Sequence, residues 1–312
     1  MNETIKKHIA AEGLWSWSKG KWAMLLFPFL LTLNFAHASD QTKEDTYALA
    51  TGKAGSQRLD LQNKMMSEDA YRQLEKAGLS EGQTVWDIGC GNGAMTVYLA
   101  QKVGKKGHVY AIDINEAQIE VAKEKIATEG LTNVTFIHGD IAMQKDLPLG
   151  GADLVYMRLV LMHVKNPASV IAVVKNLLKD GGVAVSQEST MKTIYSSSDN
   201  PVFKEYAHTL VALGDKLGVD YNVGEKLSTL YQQPGFVNVQ TDYSQQKRTV
   251  AQLKELVSKG IEWKNRAIAA GVTTPERMAV IERTIKEWPD DDQDFFFATA
   301  KQAHVLAWKK KL

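Results

Sequence analysis

The stretch from Val85 to Gly93, Val-Trp-Asp-Ile-Gly-Cys-Gly-Asn-Gly, constrains the fold of this chain more than any other. A short apolar run carries an acid, Asp87, and then breaks into a loop with glycines at alternate positions. Asp113 ends the next apolar run, twenty residues after Gly93. In doubly wound α/β sheets such glycines let the backbone approach a nucleotide-like ligand and start a helix, while the second acid can bind ribose hydroxyls. We therefore expect a largely parallel sheet with a nucleotide-like site at its carboxyl edge.

The charge of Asp87 separates two classes of ligand. Gly89, Gly91 and Ala94 also fit the G-x-G-x-x-G/A pattern of dinucleotide sites, so a nicotinamide-dependent reductase is one alternative. An acid two residues before the first glycine would repel a pyrophosphate. It would favour S-adenosylmethionine, whose methionine end carries an ammonium and a sulfonium. A structural alternative is that Asp87 only caps the glycine loop by accepting backbone hydrogen bonds.

Apolar runs alternate with helical stretches through the first two thirds of the chain, which predicts parallel βαβ units. After the strand that holds Asp87, the predicted strands cover residues 108–113, 133–140, 152–157, 183–188, 236–243 and 304–308. Asp140, Arg158 and Glu188 fall at or just after strand ends. Ligands in such sheets bind beyond the strand carboxyl ends, so these side chains can converge with the first two acids on one crevice. Asn115 and Gln118 predict a capping box at the start of the helix after Asp113.

Taken together, these motifs resemble those of class I S-adenosylmethionine-dependent methyltransferases. The resemblance rests on the glycine loop, the acid ending the second strand, the Gly139-Asp140-Ile141 triplet and residues 158–163, and it covers roughly residues 45–190. It implies an α/β, doubly wound, Rossmann-like seven-stranded sheet with an antiparallel last strand. It also implies methyl transfer from S-adenosylmethionine to a small-molecule acceptor. A protein that binds the cofactor without turnover is a further alternative.

The resemblance also assigns cofactor-binding residues. The resemblance implies that the methionine moiety, the ribose hydroxyls and the adenine of S-adenosylmethionine each contact different residues of the chain. Asp87, Gly89 and Gly91 would hold the methionine moiety, Asp113 the ribose hydroxyls, and Asp140 with Ile141 the adenine, while Ile114 and Arg158 are also expected to contact the cofactor.

A second resemblance lies nearer the amino terminus. Residues 47–52 and 58–62 resemble a bacterial subgroup that typically acts on small molecules and folds its N-terminal helices over the cofactor. Tyr47, Arg58 and Gln62 would then line the methyl-donor end of the site. In the structural alternative, Leu59 and Leu61 pack the helix, and its polar residues face water.

Residues beyond Thr190 are expected to form a helical cover over the pocket. Residues 195–200 predict a loop, and helices are expected at about 201–217, 224–232, 249–270 and 274–287. Methyl transfer needs a general base only when the nucleophile must lose a proton. His163 and Glu188 are the candidates, and Tyr195 and His208 on the cover are weaker ones. In the alternative reading, His163 flanks a helix and bonds to the backbone.

Composition narrows the classes of ligand. The net charge is +1, and no basic stripe runs through the sequence apart from the short tail Lys309-Lys310-Lys311. We therefore predict no nucleic-acid substrate. Cys90 is the single cysteine, and the seven histidines lack metal-ligand spacing, so we predict no metal site. The organisation predicted is a signal peptide at 1–38, an N-terminal helical segment at 39–75, a cofactor-binding core at 76–190, and a substrate cover with the last two strands at 191–312.

The amino terminus predicts export. Lys19 and Lys21 precede an apolar segment at 22–35, and Ala36-His37-Ala38 provides a small-x-small cleavage site. A membrane-spanning helix needs about 20 apolar residues, more than this segment has. The alternative is an uncleaved membrane anchor through residues 22–35 with the enzyme in the cytoplasm. That alternative has a chemical argument in its favour, because S-adenosylmethionine is made inside cells.

We predict cleavage after Ala38, leaving a mature chain that begins Ser39-Asp40. Because the processing site selects small side chains, Ala38→Leu should block cleavage. Mass spectrometry of the protein from its native cell measures the mature mass. A full-length, membrane-associated chain would show that the segment is an anchor.

Overall fold

The computed structural model describes Leu49 and residues 52–260 and 263–311. These residues belong to one compact unit. The predicted signal peptide and Tyr47 lie outside the described residues, so the predictions made for them stand as predictions.

Strands and helices alternate through the first half of the described chain, as the sequence predicts. The strands are β1 (Thr84–Ile88), β2 (His108–Asp113), β3 (Val134–His138), β4 (Ala152–Arg158), β5 (Leu178–Thr190), β6 (Tyr195–Ser196), β7 (Val237–Ser244), β8 (Lys247–Arg248), β9 (Phe297–Ala298) and β10 (Lys301–Trp308). The helices are α1 (Gly52–Lys76), α2 (Ala94–Val103), α3 (Glu116–Thr128), α4 (Pro167–Leu177), α5 (Pro201–Leu217), α6 (Leu227–Gln232), α7 (Val250–Gly260), α8 (Trp263–Ala269) and α9 (Pro275–Glu287).

Among the described residues, seven strands form the main sheet in the order β3-β2-β1-β4-β5-β10-β7. The first five pair in parallel, and β10 lies antiparallel between β5 and β7. The predicted doubly wound sheet with an antiparallel last strand is therefore confirmed. The order of strands reverses between β1 and β4, and a ligand crevice forms outside the carboxyl ends at such a switch point.

The two faces of the sheet bury alternate residues of each strand, because successive side chains point to opposite sides. On one face Val85 and Leu154 pack with Leu74 of α1 and Leu99 of α2. On the other face the neighbouring strand residues pack against α4 and α6; Tyr231, fully buried, belongs to this layer. Each strand end thus presents one side chain toward α1 and the next toward α4.

The residues after β5 build a second core of their own. Phe203 of α5, Leu253 of α7, Ile281 of α9 and Phe297 of β9 are all buried in it. The predicted helices from 249 to 270 are described as α7 and α8, on either side of residues 261–262, which lie outside the described residues. Within the described part of the chain, no helix combines the length and the apolar character needed to cross a membrane.

Two local predictions need correction. The loop predicted at 195–200 was wrong at Tyr195 and Ser196, which pair with β9 in a small sheet of the order β6-β9-β8. The capping box is half formed: the Asn115 side chain accepts from the Gln118 N–H at 3.0 Å. The Gln118 side-chain amide has no hydrogen-bond partner among the described residues, and the Asn115 N–H donates to the neighbouring Asp113 carboxylate instead. The strand pairing of Tyr195 and Ser196 depends on residues about a hundred positions away, whereas the change at the capping box is local.

Gly91 and Gly93 provide a matched test of how tightly the loop packs. Both have positive φ, 52° and 77°, so alanine at either position carries the left-handed strain of about 1–2 kcal/mol. A Cβ on Gly93 would lie 2.8 Å from the Cβ of Ala122 in α3, whereas the nearest atom to one on Gly91 is 3.5 Å away. We predict that Gly93→Ala lowers the free energy of unfolding by about 1–3 kcal/mol more than Gly91→Ala does, because of overpacking. Urea unfolding of both variants measures the difference, and equal losses would contradict it.

Candidate active site

Asp113 ties the glycine loop to the end of β2. One carboxylate oxygen accepts the Gly91 N–H at 2.8 Å, and the other accepts the Asn115 N–H at 2.9 Å. Burial raises the pKa of Asp113. An ionised carboxylate has about four acceptor positions, so Asp113 can still accept hydroxyl groups of a ligand.

The three glycines of the loop have different neighbours. A Cβ on Gly89 would collide with the side chain of Val160, and one on Gly93 would collide with α3. Gly91 lies under Leu59 of α1 with room for a Cβ. Gly89 and Gly93 therefore permit close packing of protein against the loop, and Gly91 keeps the more open surface beneath α1.

Asp87 is buried at the end of β1, with 2% of its surface exposed. It accepts a hydrogen bond from the Thr96 hydroxyl at 2.6 Å, which joins β1 to α2. Burial raises the pKa of Asp87 to about 6, against the lowering effects of Thr96 and of the Arg158 charge. Thr96, not a backbone N–H of the loop, is its hydrogen-bond donor among the described residues. An ionised Asp87 is therefore costly in the free protein, and a bound cation would stabilise it.

Helix α1 lies across the glycine loop. The Asn92 side chain donates to the Ser56 hydroxyl at 3.2 Å and to Asp60 at 2.8 Å, and Lys125 of α3 also reaches Asp60 at 2.8 Å. Asn92 is 3% exposed, so the contact between α1 and the loop is buried at Asn92, while Asp60 remains exposed to solvent on the outer side. Sequence reasoning missed Asn92, because its role depends on a helix thirty residues earlier in the chain.

The helix also carries Arg58 and Gln62, which had been predicted near the methyl-donor end. Arg58 is 3% exposed and donates to the Gln62 side chain at 2.9 Å. The alternative in which the polar residues of this helix face water is thus wrong for Arg58. Its charge reaches His163, whose pKa it helps to lower. The structure places Arg58 on the inner side of α1, near the carboxyl ends of the strands.

Glu188 holds the turn that follows β4. Its carboxylate, which is fully buried, accepts the backbone N–H groups of Val160 at 2.9 Å, Leu161 at 2.7 Å and Met162 at 3.3 Å. Leu159, at the start of this turn, has a φ of 56°. Val160 in turn packs against Gly89, so Glu188 positions one wall of the glycine loop. Burial raises the pKa of Glu188 to about 7.

His163 ends the same turn and is partly buried. Its ring meets the ring of Tyr221 edge-on, with centroids 5.5 Å apart. Burial, together with the Arg58 charge, lowers its pKa to about 3. The imidazole is therefore neutral near pH 7 and a weak proton acceptor, since a general base works best with a pKa near the operating pH.

On the side of the glycine loop where the adenine is predicted, apolar side chains surround the acid Asp140. Asp140 accepts the Ala142 N–H at 2.9 Å, and Ile141 is buried. Ile114 is 43% exposed and Met143 62% exposed. An apolar surface beside a hydrogen-bonding acid suits a flat heteroaromatic ring, as the predicted adenine contacts require.

Arg158, Tyr195 and His208 lie in different places. Arg158, at the end of β4, donates to Asn63 of α1 at 3.0 Å and so belongs to the crevice. Tyr195 is on the small sheet, 46% exposed. His208 lines a separate cleft of about 580 Å³ between α5 and the start of α9. Among the described residues, no group of three or more histidine, cysteine or acidic side chains could hold a metal ion.

Comparison with known families agrees with this geometry. A family model described as a methyltransferase domain matches residues 79–234, half of the chain. The chain belongs to the methyltransferase-domain family. The recognition as a class I S-adenosylmethionine-dependent methyltransferase, and with it the predictions of an enzyme and of the cofactor, are confirmed.

Relatives similar in sequence to this chain are demethylmenaquinone methyltransferases. A demethylmenaquinone methyltransferase of Geobacillus stearothermophilus is 31% identical over 122 residues, which are 39% of this chain and 52% of the relative. One of Geobacillus kaustophilus is 27% identical over 187 residues, 55% of this chain and 77% of the relative. The chain thus spans about half the length of the first relative. The crystal structure of a proposed methyltransferase from Bacillus halodurans has a TM-score of 0.54 at 18% identity, covering 78% of this chain and all of the other, which shows the fold.

Glu188 should make the stability of the methyltransferase depend on pH. Its pKa is raised from an ordinary 4.5 to about 7, so in this window the folded protein binds a proton that the unfolded chain has released. The free energy of unfolding should then fall as pH rises, by at most about 1.4 kcal/mol per pH unit from one such group. Asp87 adds to this fall up to about pH 6. His163 opposes it, because the folded protein keeps this imidazole neutral while the unfolded chain takes up a proton near pH 6.5, so the part due to Glu188 is the difference in slope between wild type and a Glu188 variant.

We predict that Glu188→Gln removes the Glu188 contribution, since glutamine does not titrate, so that the free energy of unfolding falls less, or rises more, with pH than it does in wild type. The exposed Glu225→Gln serves as the control for loss of one carboxylate and should keep the wild-type slope. Urea unfolding at a series of pH values gives the measurement. Equal slopes in wild type and Glu188→Gln would contradict the assignment.

Proposed function

We propose that this methyltransferase moves the methyl group of S-adenosylmethionine to a small-molecule acceptor bound at the carboxyl edge of the sheet, beneath α1. The observation that carries the proposal is the pair Asp87 and Asp113. These acids end two adjacent parallel strands, on either side of a glycine loop covered by α1. Membership in the methyltransferase-domain family supports the same reading.

The residues at this edge fit S-adenosylmethionine chemically. Asp87 is a buried acid whose ionised form is disfavoured in the free protein, so a cationic group beside it would be stabilised. Asp113 retains acceptor capacity for ribose hydroxyls. Ile114 and Met143 expose apolar surface for the adenine. A pyrophosphate, by contrast, would meet the negative charge of Asp87.

When bound, S-adenosylmethionine supplies an electrophilic methyl group on a cationic sulfur, open to in-line displacement. The chain must then align the acceptor and keep water out. Asn92, Leu59 and Arg58 close α1 over the loop and so restrict solvent. The neutral imidazole of His163 can accept a hydrogen bond. Because its pKa is low, it is a weak general base, which suits methyl acceptors that are already deprotonated or carry a free lone pair.

The two alternatives have less support. The family match favours methyl transfer over the nicotinamide-dependent reductase. A binding protein without turnover remains as the alternative that an assay must decide. The relatives are named for demethylmenaquinone, and their identities of 27–31% leave the acceptor of this chain open. Incubating the protein with isotopically labelled S-adenosylmethionine and a cell extract tests turnover and reveals the acceptor by its mass.

We also propose that residues 1–38 direct the enzyme out of the cytoplasm, with anchoring through residues 22–35 as the alternative. The basic flank, the apolar segment and Ala36-His37-Ala38 support this proposal. An exported enzyme would have to meet S-adenosylmethionine in another cell or compartment. The same mass measurement described for Ala38→Leu decides between the two locations.

The charge of Asp87 gives the cofactor assignment a pH signature. Protonation of Asp87 removes its attraction for a cation, so we predict that S-adenosylmethionine affinity falls as pH is lowered through about 6. Asp87→Asn should bind roughly tenfold more weakly at pH 7.5, a loss of about 1.4 kcal/mol, and should lose the pH dependence attributable to Asp87. S-adenosylhomocysteine, which lacks the sulfonium charge, should show a smaller change.

Calorimetric titrations at several pH values measure these affinities, with NADH as the negative ligand. If Asp87 serves only to join β1 to α2 through Thr96, thermal stability falls in Asp87→Asn while the affinity of the folded fraction holds. Tight NADH binding without S-adenosylmethionine binding would overturn the proposed function.

A further inference from the structure

A row of polar side chains crosses the sheet near its carboxyl edge. In the strand register, Arg158 of β4 is paired with Gln187 of β5, Gln187 with His304 of β10, and His304 with Asp242 of β7. Side chains of directly paired residues lie on the same face of a sheet. We call these four residues the polar row. Helix α1 covers it, since Asn63 contacts Arg158 and Gln73 contacts Asp242.

At one end of the polar row, Asp242 and one ring nitrogen of His304 are hydrogen-bonded. Asp242 accepts from Gln73 at 3.2 Å and pairs with Lys76. His304 bonds through its Nε2 to the Ser244 hydroxyl at 2.9 Å, and that hydroxyl donates to Asp69 at 2.7 Å. The Nε2 of His304 therefore carries the hydrogen, and its Nδ1 is left as an acceptor.

The other end contains buried polar atoms that lack partners. Several of these atoms have no hydrogen-bond partner within the described part of the chain. They are Arg158 Nη1, Gln187 Oε1 and Nε2, His304 Nδ1 and the Tyr156 hydroxyl. Gln187 and His304 are 2% exposed, and Tyr156 is 1% exposed. Tyr156 precedes Arg158 by two residues, on the same face. Buried polar groups form hydrogen bonds in the great majority of cases. Several buried polar atoms without a hydrogen-bond partner in one place therefore indicate that a ligand binds there.

The charges of Arg158 and Asp87 indicate which chemical group that ligand carries. Tyr156 is paired in register with Asp87, and the Arg158 charge lowers the pKa of Asp87, so the row begins beside the methionine end of the cofactor site. A cation bound at Asp87 would neutralise that acid. The guanidinium of the partly buried Arg158, whose Nη1 is out of contact with solvent, would then be left without a countercharge. An anionic oxygen would satisfy it, and the Gln187 amide can both donate to and accept from an adjacent hydroxyl.

We propose that Arg158, Gln187 and Tyr156 bind the polar head of the methyl acceptor, and that this head is an oxyanion with a neighbouring hydroxyl, as in a small hydroxy acid or hydroxybenzoate. The inference rests on the proposed function. His304 adds an acceptor at the rear of the site. The acceptor would then lie beneath α1, next to Asp87, and would bind best after the cofactor has arrived.

Two buried glutamines on neighbouring strands make a matched test of stability. Gln187 has an unbonded amide, whereas the amide of Gln302 bonds to Ser189 at 2.8 Å and to the Ala300 carbonyl at 3.0 Å. Removing an unsatisfied buried polar group is neutral or stabilising, whereas removing a bonded one is not. Gln187→Leu should therefore leave the unfolding temperature unchanged or raise it, and Gln302→Leu should lower it by roughly 2–8 °C. A fall in Gln187→Leu as large as in Gln302→Leu would overturn the proposal.

Ligand binding is tested with 2-hydroxybenzoate on the full chain saturated with S-adenosylhomocysteine, by calorimetry. Wild type and folded Gln302→Leu should bind the probe with similar affinity, and Gln187→Leu should bind it at least tenfold more weakly. All three should bind S-adenosylhomocysteine alike.

The remaining outcomes each decide a different claim. Failure of wild type to bind S-adenosylhomocysteine would refute the proposed function itself. Cofactor binding without probe binding would refute the oxyanion class and leave the proposed function standing. A loss of S-adenosylhomocysteine affinity in Gln187→Leu, with the probe unaffected, would assign the polar row to the cofactor and overturn the inference.

Discussion

The hydrogen bonds that Asp113 accepts from Gly91 and Asn115 are the constraint on which the site depends. They join the end of β2, the glycine loop and the start of α3 through one carboxylate. Because the loop is held there, Gly93 can pack against α3 and Gly91 can pass beneath α1. The crevice of this methyltransferase is therefore a consequence of local backbone bonding as much as of the sheet's topology.

Two buried acids at the same edge have different effects. Burial raises the pKa of both Asp87 and Glu188. Glu188 is surrounded by three backbone N–H donors, so its charge serves to shape the turn beside Gly89. Asp87 is bonded to a single hydroxyl and lies next to the predicted methionine site. Buried carboxylates thus support structure on one face of the sheet and ligand charge on the other.

Helix α1 links the cofactor site to the proposed acceptor site. Its first half closes over the glycine loop through Ser56 and Asp60, and its second half contacts β7 through Asp69 and Gln73. Between these contacts it covers Arg158. A helix fixed at both ends is well placed to exclude water from the reacting groups, which is the main demand of methyl transfer.

The sequence by itself determined the parallel core and the positions of Asp87, Asp113 and Asp140, because period-two apolar runs and glycine spacing are local signals. It also indicated the antiparallel last strand, through family resemblance. Only the tertiary structure showed that Glu188 shapes a turn, that Asn92 holds α1, and that Tyr195 and Ser196 pair with β9. The polar row likewise depends on the register of β10 between β5 and β7. The physical reason is that register, burial and cross-strand pairing join residues from a few tens to more than a hundred positions apart, and no local pattern encodes which of them will meet.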